Sequence, residues 1–341
     1  MNVHMSARRK VLFIFSLLFI IIIMAVVSIS LGAANITIWD VCSAILNKFF
    51  PDHFNPSEFA EFVVWQMRIP RILMAILAGI GLAVAGTIFQ STFRNSLASP
   101  YTLGVLSAAA FGTSLATVLG IERSMVNLPI AIMMSTFVAL LPAFFIYRFV
   151  KRKASPEAAI LIGIAFLFLF SILTPMLLLF TEAGVAKESM FWMSGGLDRA
   201  SWTEIGIVFF TLLFCIPLLL LKSRDFDMIA DTKYITKEEK TRNAGIFIAS
   251  LMSAVIVCFT GIIGFVGLVA PCTTKTIIGG EHRFLIPASG LLGGVLLLGL
   301  DALARTIITP VILPVGFLTS LIGIPLFIYL ITRIVIRSEH R

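Results

Sequence analysis

The chain is expected to be an all-α, polytopic membrane protein with about ten transmembrane helices, and three observations carry that expectation. Of its 341 residues, 59% are hydrophobic and 13% charged, more apolar surface than a soluble domain of this length can hide. The apolar residues fall into long runs separated by short polar breaks. The net charge of +8 sits in those breaks instead of forming a patch, which fits membrane topology and argues against nucleic acid as a partner.

Taken in order, Arg8, Arg9 and Lys10 precede an apolar run from Val11 to Ala34. A secretory signal has the same order of parts but an apolar region of only about 7 to 15 residues, so this run is read as a retained first span. ITIWDVCSAIL reads as a short interfacial helix, and PDHFNPSEFAEF as a polar loop. The run from Ile72 to Phe89, at about 1.5 Å per helical residue, is long enough to cross a hydrocarbon core about 30 Å thick. Gly79, Gly81 and Gly86 leave little side chain on it, so a neighbouring helix can approach closely. Further runs follow at 103–120, 128–150, 157–181, 204–222, 244–263, 264–280, 284–308 and 314–336, the stretch around 264 being a nearly unbroken apolar segment that has to be cut.

An even number of spans puts both termini on one side. With the N-terminus in the cytoplasm, all 26 Lys and Arg residues except Lys48, Arg68, Arg71, Arg123, Lys187, Arg199 and Arg305 fall in internal segments. That excess assigns both termini to the cytoplasm.

Resident chemistry is not expected. Cys42, Cys215, Cys258 and Cys272 are far apart, form no CxxC and read as free thiols. His4, His53, His282 and His340 fall in tails and loops without an HExxH, so neither a metal site nor a catalytic residue is assigned. There is no GxxxxGK[ST] loop, nor a soluble stretch to house a nucleotide domain, so uphill transport would draw on another chain or on an ion gradient. Ion-coupled carriers place ionisable groups within their helices. The deepest candidates here are Asp301 and Arg305, four residues apart on one helical face.

RIPR (68–71), FRNSLASP (93–100), YTLGVLSAAAFG (101–112), WMSGGL (192–197), GFVGLVAP (264–271), GGEHR (279–283) and LPVGFLTSLIGIPLF (313–327) occur in that order. Together they resemble the signatures of the FecCD/BtuC-type permeases of type II ABC importers, over nearly the whole chain. The resemblance favours two spans around residue 264. It implies a BtuC-like fold with one transmembrane domain over 1–341, a cytoplasmic tail at 1–10 and a coupling loop at 223–243. It also implies a dimer, either homodimeric or with a paralogous permease, in the lipid of the cell membrane. Two cytoplasmic ATPase subunits would carry ATP and Mg, with no cofactor bound by this chain, and an extracytoplasmic solute-binding protein or lipoprotein would deliver the solute. A ferric siderophore is the expected cargo, with haem or cobalamin as alternatives. An ion-coupled secondary transporter is the rival from another class, and an intramembrane enzyme finds no support in a reactive constellation.

Site residues follow from the same resemblance, each beside a plainer reading. Arg68, Arg71 and Arg305 suit interfacial anchoring. The family's matching arginines dock carboxylates of the binding protein, a task suited to a planar, always charged fork. Asn95, Leu97, Ser155 and Pro156 read as a helix cap, packing, an N-cap and a first helical residue, and the resemblance adds a cytoplasmic gate. Thr174 and Pro175 are expected to interrupt the fifth span, and Gly323, Ile324 and Pro325 the tenth. Ordinary kinks would explain these breaks, and the resemblance makes both helices line the pathway. The segment KSRDFDMIADTKYITKEEKTR (222–242) reads as a solvated basic loop lying where the family places its coupling helices. Ser96, Cys272 and Lys275 depart from the family pattern of Pro, His and Arg.

Overall fold

The structure is a computed structural model that describes residues 5–32, 36–48, 50, 56–121, 128–151, 156–230, 239–308 and 311–339. Its helices are α1 (Ala7–Ser30), α2 (Ile38–Asn47), α3 (Glu58–Phe62), α4 (Ile69–Thr92), α5 (Val105–Val118), α6 (Leu128–Lys151), α7 (Pro156–Leu178), α8 (Ala183–Met193), α9 (Trp202–Leu221), α10 (Ser223–Ala230), α11 (Glu239–Thr260), α12 (Val266–Ile278), α13 (His282–Thr306) and α14 (Val315–Glu339). Every predicted span contains a helix. Seven helical stretches are long and apolar enough to cross a bilayer, whereas α5, α12 and the apolar part of α14 (Val315–Leu326) are shorter. At 14 and 13 residues, α5 and α12 extend about 20 Å, short of a hydrocarbon core. The cut near 264 is a five-residue break, 261–265, between α11 and α12.

Helix α4 is the axis. It is the most buried of the long helices, with α9, α11, α12 and α13 packed around it. It pairs antiparallel with α13 along a seam in which polar pairs flank a backbone contact. Arg71 meets Asp301 at one end, Thr87 Oγ1 lies 2.6 Å from Ser289 Oγ, and Ser91 meets His282 at the other end. Between them Gly79 and Gly293 pack backbone to backbone, and a Cβ on either would overlap the other's carbonyl. Gly86 does the same against Gly267 of α12. Small residues permit this approach, and van der Waals contact then holds the helices together in lipid, where the hydrophobic effect gives no help.

The polar segment 56–62 is partly helical, not wholly loop: Ser57 Oγ accepts from the Ala60 N–H and starts α3. From Val63 to Arg68 the chain widens into a π-helical turn, with the Ile69 N–H reaching the Val64 carbonyl. Pro70 supplies the reason. It has no N–H for the Gln66 carbonyl and its ring crowds that position, so the turn preceding it opens.

The expected interruptions of the fifth and tenth spans are not breaks. Both α7 and α14 run through their prolines. Pro175 lies in the last turn of α7, so although its missing N–H leaves the Ser171 carbonyl without its helical donor, only three helical residues follow it. Beside it the Thr174 hydroxyl donates to the Phe170 carbonyl at 2.7 Å.

Real breaks occur instead where two of the signature segments, 192–197 and 313–327, cross the residues just before a third. The Gly196 N–H donates to the Thr260 carbonyl at 2.9 Å, and the Gly316 N–H to the Gly195 carbonyl at 3.2 Å. Gly195 and Gly261 both have positive φ, 81° and 67°, and neither they nor Gly316 has room for a Cβ. Phe265, at φ 62°, adopts a left-handed backbone that is uncommon for an aromatic residue, and its side chain fills the space beside Gly323.

Candidate functional site

The α4–α13 pair carries a polar cluster at each end. At the first, Asp301 is wholly buried (0% exposed). Its Oδ1 receives Arg71 Nε at 2.8 Å, and its Oδ2 lies 3.0 Å from Arg305 Nε. Arg68 Nη1 donates to the Ile29 carbonyl at 2.7 Å, Arg305 Nη1 to the Leu31 carbonyl at 2.9 Å, and Arg305 Nη2 to Ser28 Oγ. Two of the three guanidiniums thereby satisfy carbonyls at the end of α1 that have no intrahelical donor. All three are at most 6% exposed. The three predicted docking arginines all lie inside the protein, Arg71 and Arg305 on the Asp301 carboxylate and Arg68 on the Ile29 carbonyl. An ion cluster like this is costly to desolvate and costlier to break, because removing one partner strands the others.

At the second end, His282 is 1% exposed and is the first residue of α13, not a loop residue as its sequence position suggested. Glu281 at the N-cap makes no capping bond from its own side chain. Asp227 of α10 does so from across the chain: its Oδ1 accepts the His282 N–H at 2.8 Å and lies 2.6 Å from His282 Nδ1. A carboxylate there also suits the positive end of the α13 dipole. On the other side of the ring, Nε2 is hydrogen-bonded to Ser91 Oγ in the last turn of α4. The connectivity Asp–His–Ser is that of a hydrolytic triad, but the Ser91 hydroxyl is buried and also bonds the Thr87 carbonyl at 2.8 Å, so it is engaged within its own helix.

Helix α10 is held along its buried face. Phe226 is fully buried where a Cβ at Gly245 of α11 would collide with it, close to Ile88 of α4. Asp225 accepts from Thr241 Oγ1 at 2.9 Å. Arg94, just past α4, donates to the Ile229 carbonyl at 2.5 Å. Next to this node, Lys10 Nζ of α1 bonds Glu281 at 2.8 Å, and that hydrogen bond is the main reason the Glu281 carboxyl is held below the usual carboxylate range.

Of the predicted gate residues, Asn95 and Leu97 lie together in the turn after α4, with the Leu97 N–H donating to Asn95 Oδ1 at 2.8 Å. Pro156 opens α7, and Ser155 lies outside the described residues. Thr174 and Gly323 are buried, Pro175 is half-buried and Pro325 is exposed. Asp227 and His282 are the residues that the sequence reading missed. The GGEHR signature contained His282, but only the fold brings Asp227 to it across 55 positions.

Seven helical stretches long and apolar enough to span, with ionic groups that tie helix ends together, make this a multi-pass membrane protein. The chain belongs to the FecCD transport family, whose model matches residues 19–333. It is 37% identical over 340 residues to a Methanocaldococcus jannaschii protein named as an ABC transporter permease, covering 96% of this chain and 95% of that one. It is 32% identical over 330 residues to the Fe(3+)-citrate import system permease protein YfmE of Bacillus subtilis, covering 95% and 96%. A solved inward-facing transporter described as of the metal-chelate ABC type superposes with a TM-score of 0.78 at 28% identity, covering 94% of this chain and 98% of that one. This chain is therefore the permease of an ABC importer. It is not itself an enzyme, and it works with ATPase and binding-protein partners. The ion-coupled alternative falls with that assignment.

Proposed function

We propose that the permease passes a ferric chelate, of the siderophore class, across the cytoplasmic membrane. The observation that carries this reading is the company the chain keeps: relatives matched over at least 80% of both chains are named for import of ferric citrate, ferric hydroxamate and hemin. A further relative is named for molybdate import, so the cargo panel must include an oxyanion.

In this reading both termini face the cytoplasm, as the distribution of basic residues requires. The His282 end of the α4–α13 pair then faces inward, and the Arg71 end faces outward. Residues 1–341 form one transmembrane domain, with a tail at 1–10 and a coupling segment at 223–243 that meets the ATPase. Two permease chains, identical or paralogous, enclose the pathway, whose walls come from α7 at Thr174 and Pro175 and from α14 at Gly323 and Pro325. Asn95, Leu97, Ser155 and Pro156 close it on the inside. ATP and Mg belong to the ATPase subunits.

Docking of the binding protein through Arg68, Arg71 and Arg305 acquires a condition from their burial. Two guanidiniums against one carboxylate, with Arg68 on the neighbouring α1 carbonyl, leave positive charge in excess, which attracts carboxylates from outside. A partner reaches them only once the α1 carbonyls at Ile29 and Leu31 release them.

The test is uptake by a strain lacking this gene, with and without the gene restored, across ferric citrate, a ferric hydroxamate, haem, cobalamin and molybdate. Restored uptake of the ferric chelates, abolished by ATP depletion and indifferent to an uncoupler, is the expected result. Restoration of haem, cobalamin or molybdate uptake alone would overturn the siderophore assignment.

A further inference from the structure

The geometry points to His282 as a positioning residue that keys α10 to the α4–α13 pair, so that force applied to α10 from the cytoplasm reaches both long helices. The inference rests on the reading above that an ATPase engages the 223–243 segment. It adds the link between that contact and the membrane helices.

Helix α10 has eight residues, too few to be stable by themselves in water. Its position is set by what it touches, and those partners all lie at helix ends: Arg94 just past the end of α4, Thr241 and Gly245 near the start of α11, and His282 at the start of α13. His282 differs from the others in joining three elements at once. Asp227 of α10 holds both its backbone N–H and its Nδ1, and Ser91 of α4 holds its Nε2. The ring stands 6.0 Å from that of Phe226, the apolar anchor of α10. Because His282 is buried, water cannot replace a bond that is broken, so the linkage is stiff. Beyond the node, the Thr87–Ser289 bond and the Gly79–Gly293 contact make α4 and α13 move together.

A histidine that only stabilised the fold would, when replaced, lower the amount of working transporter, and ATP hydrolysis and uptake would fall in step. A positioning histidine would uncouple them. The experiment uses the complete transporter, with its ATPase and binding protein in lipid vesicles, carrying wild-type permease, His282→Phe, Asp227→Ala or Asp227→Asn. The measurements are ATP hydrolysis stimulated by the binding protein, and uptake of whichever of ferric citrate, haem or molybdate the wild type concentrates.

For His282→Phe, which keeps a ring against Phe226, uptake per ATP hydrolysed is expected to fall by about tenfold or more, the factor matching loss of one or two buried hydrogen bonds. Asp227→Ala, a change on a partly exposed side chain that leaves the core intact, is expected to do the same. Asp227→Asn, which keeps an acceptor for the His282 N–H, is expected to recover most of the ratio. An unchanged ratio in His282→Phe or in Asp227→Ala overturns the inference, as does a fall in uptake matched by an equal fall in hydrolysis. If His282→Phe does not assemble, Asp227→Ala decides alone. A wild-type complex that accumulates none of the three solutes in an ATP-dependent way refutes the functional reading instead, whatever the variants do.

Discussion

The two ends of the α4–α13 pair solve the same problem with different materials. At the Arg71 end, charges are buried against charges: three guanidiniums, one carboxylate and the carbonyls of α1. At the His282 end, a histidine is held by a partly exposed aspartate and a serine, and a short amphipathic helix lies against it. The first is expensive to disturb and fixes α1, α4 and α13 in one arrangement. The second gives a displaced α10 something to pull on. One end is built as an anchor, the other as a handle.

The comparison can be broken most directly at Asp301. Asp301→Ala leaves two buried cations, Arg71 and Arg305, without their carboxylate and is expected to cost about 3–5 kcal/mol, read as a large drop in the thermal midpoint of the purified protein in detergent. A midpoint near wild type would mean that the arginines relax to water, and the anchor would lose its meaning. A smaller effect is expected midway. Thr87→Val removes the hydroxyl that pairs with Ser289 and should cost about 1 kcal/mol, read as a smaller drop in the same thermal midpoint.

The smallest effect belongs to Lys10→Met: Lys10 is buried, but its partner Glu281 is about a third exposed and keeps Arg283, so the loss is expected to be about 1 kcal/mol. Its sign with pH is specific. The Glu281 pKa is lowered in the folded protein, so its contribution is complete above the ordinary glutamate value of about 4.3 and disappears as pH falls through the lowered value. Thermal midpoints measured from pH 7 downward should therefore show a smaller acid-side loss in Lys10→Met than in wild type.

Composition and run length made the helical, polytopic class legible, because lipid leaves a spanning backbone few options. The signature motifs contained Gly195 and Gly316, but did not reveal that these cross one another or meet Gly261, which lies outside every motif. What stayed hidden depended on distance in the chain. Asp301 and Arg305 could be paired from their spacing, but Arg71 joins them from 230 positions away. Basic residues at a span's end suggest exposure, and only the fold reveals that the end of α1 covers them. His282 beside Glu281 and Arg283 looked like part of a charged loop, yet its burial follows from α10 folding back over it. The prolines misled in the opposite direction, since α7 and α14 run through them, Pro175 with only three helical residues beyond it.

The backbone contact between Gly79 and Gly293 has a consequence for how such a protein diversifies. With no side chain between them, these two helices form a spar that tolerates almost no substitution at its midpoint, while the outer helices press flexible, greasy side chains into the bilayer. A descendant that needed a wider or differently shaped passage would remodel that periphery and leave the spar alone.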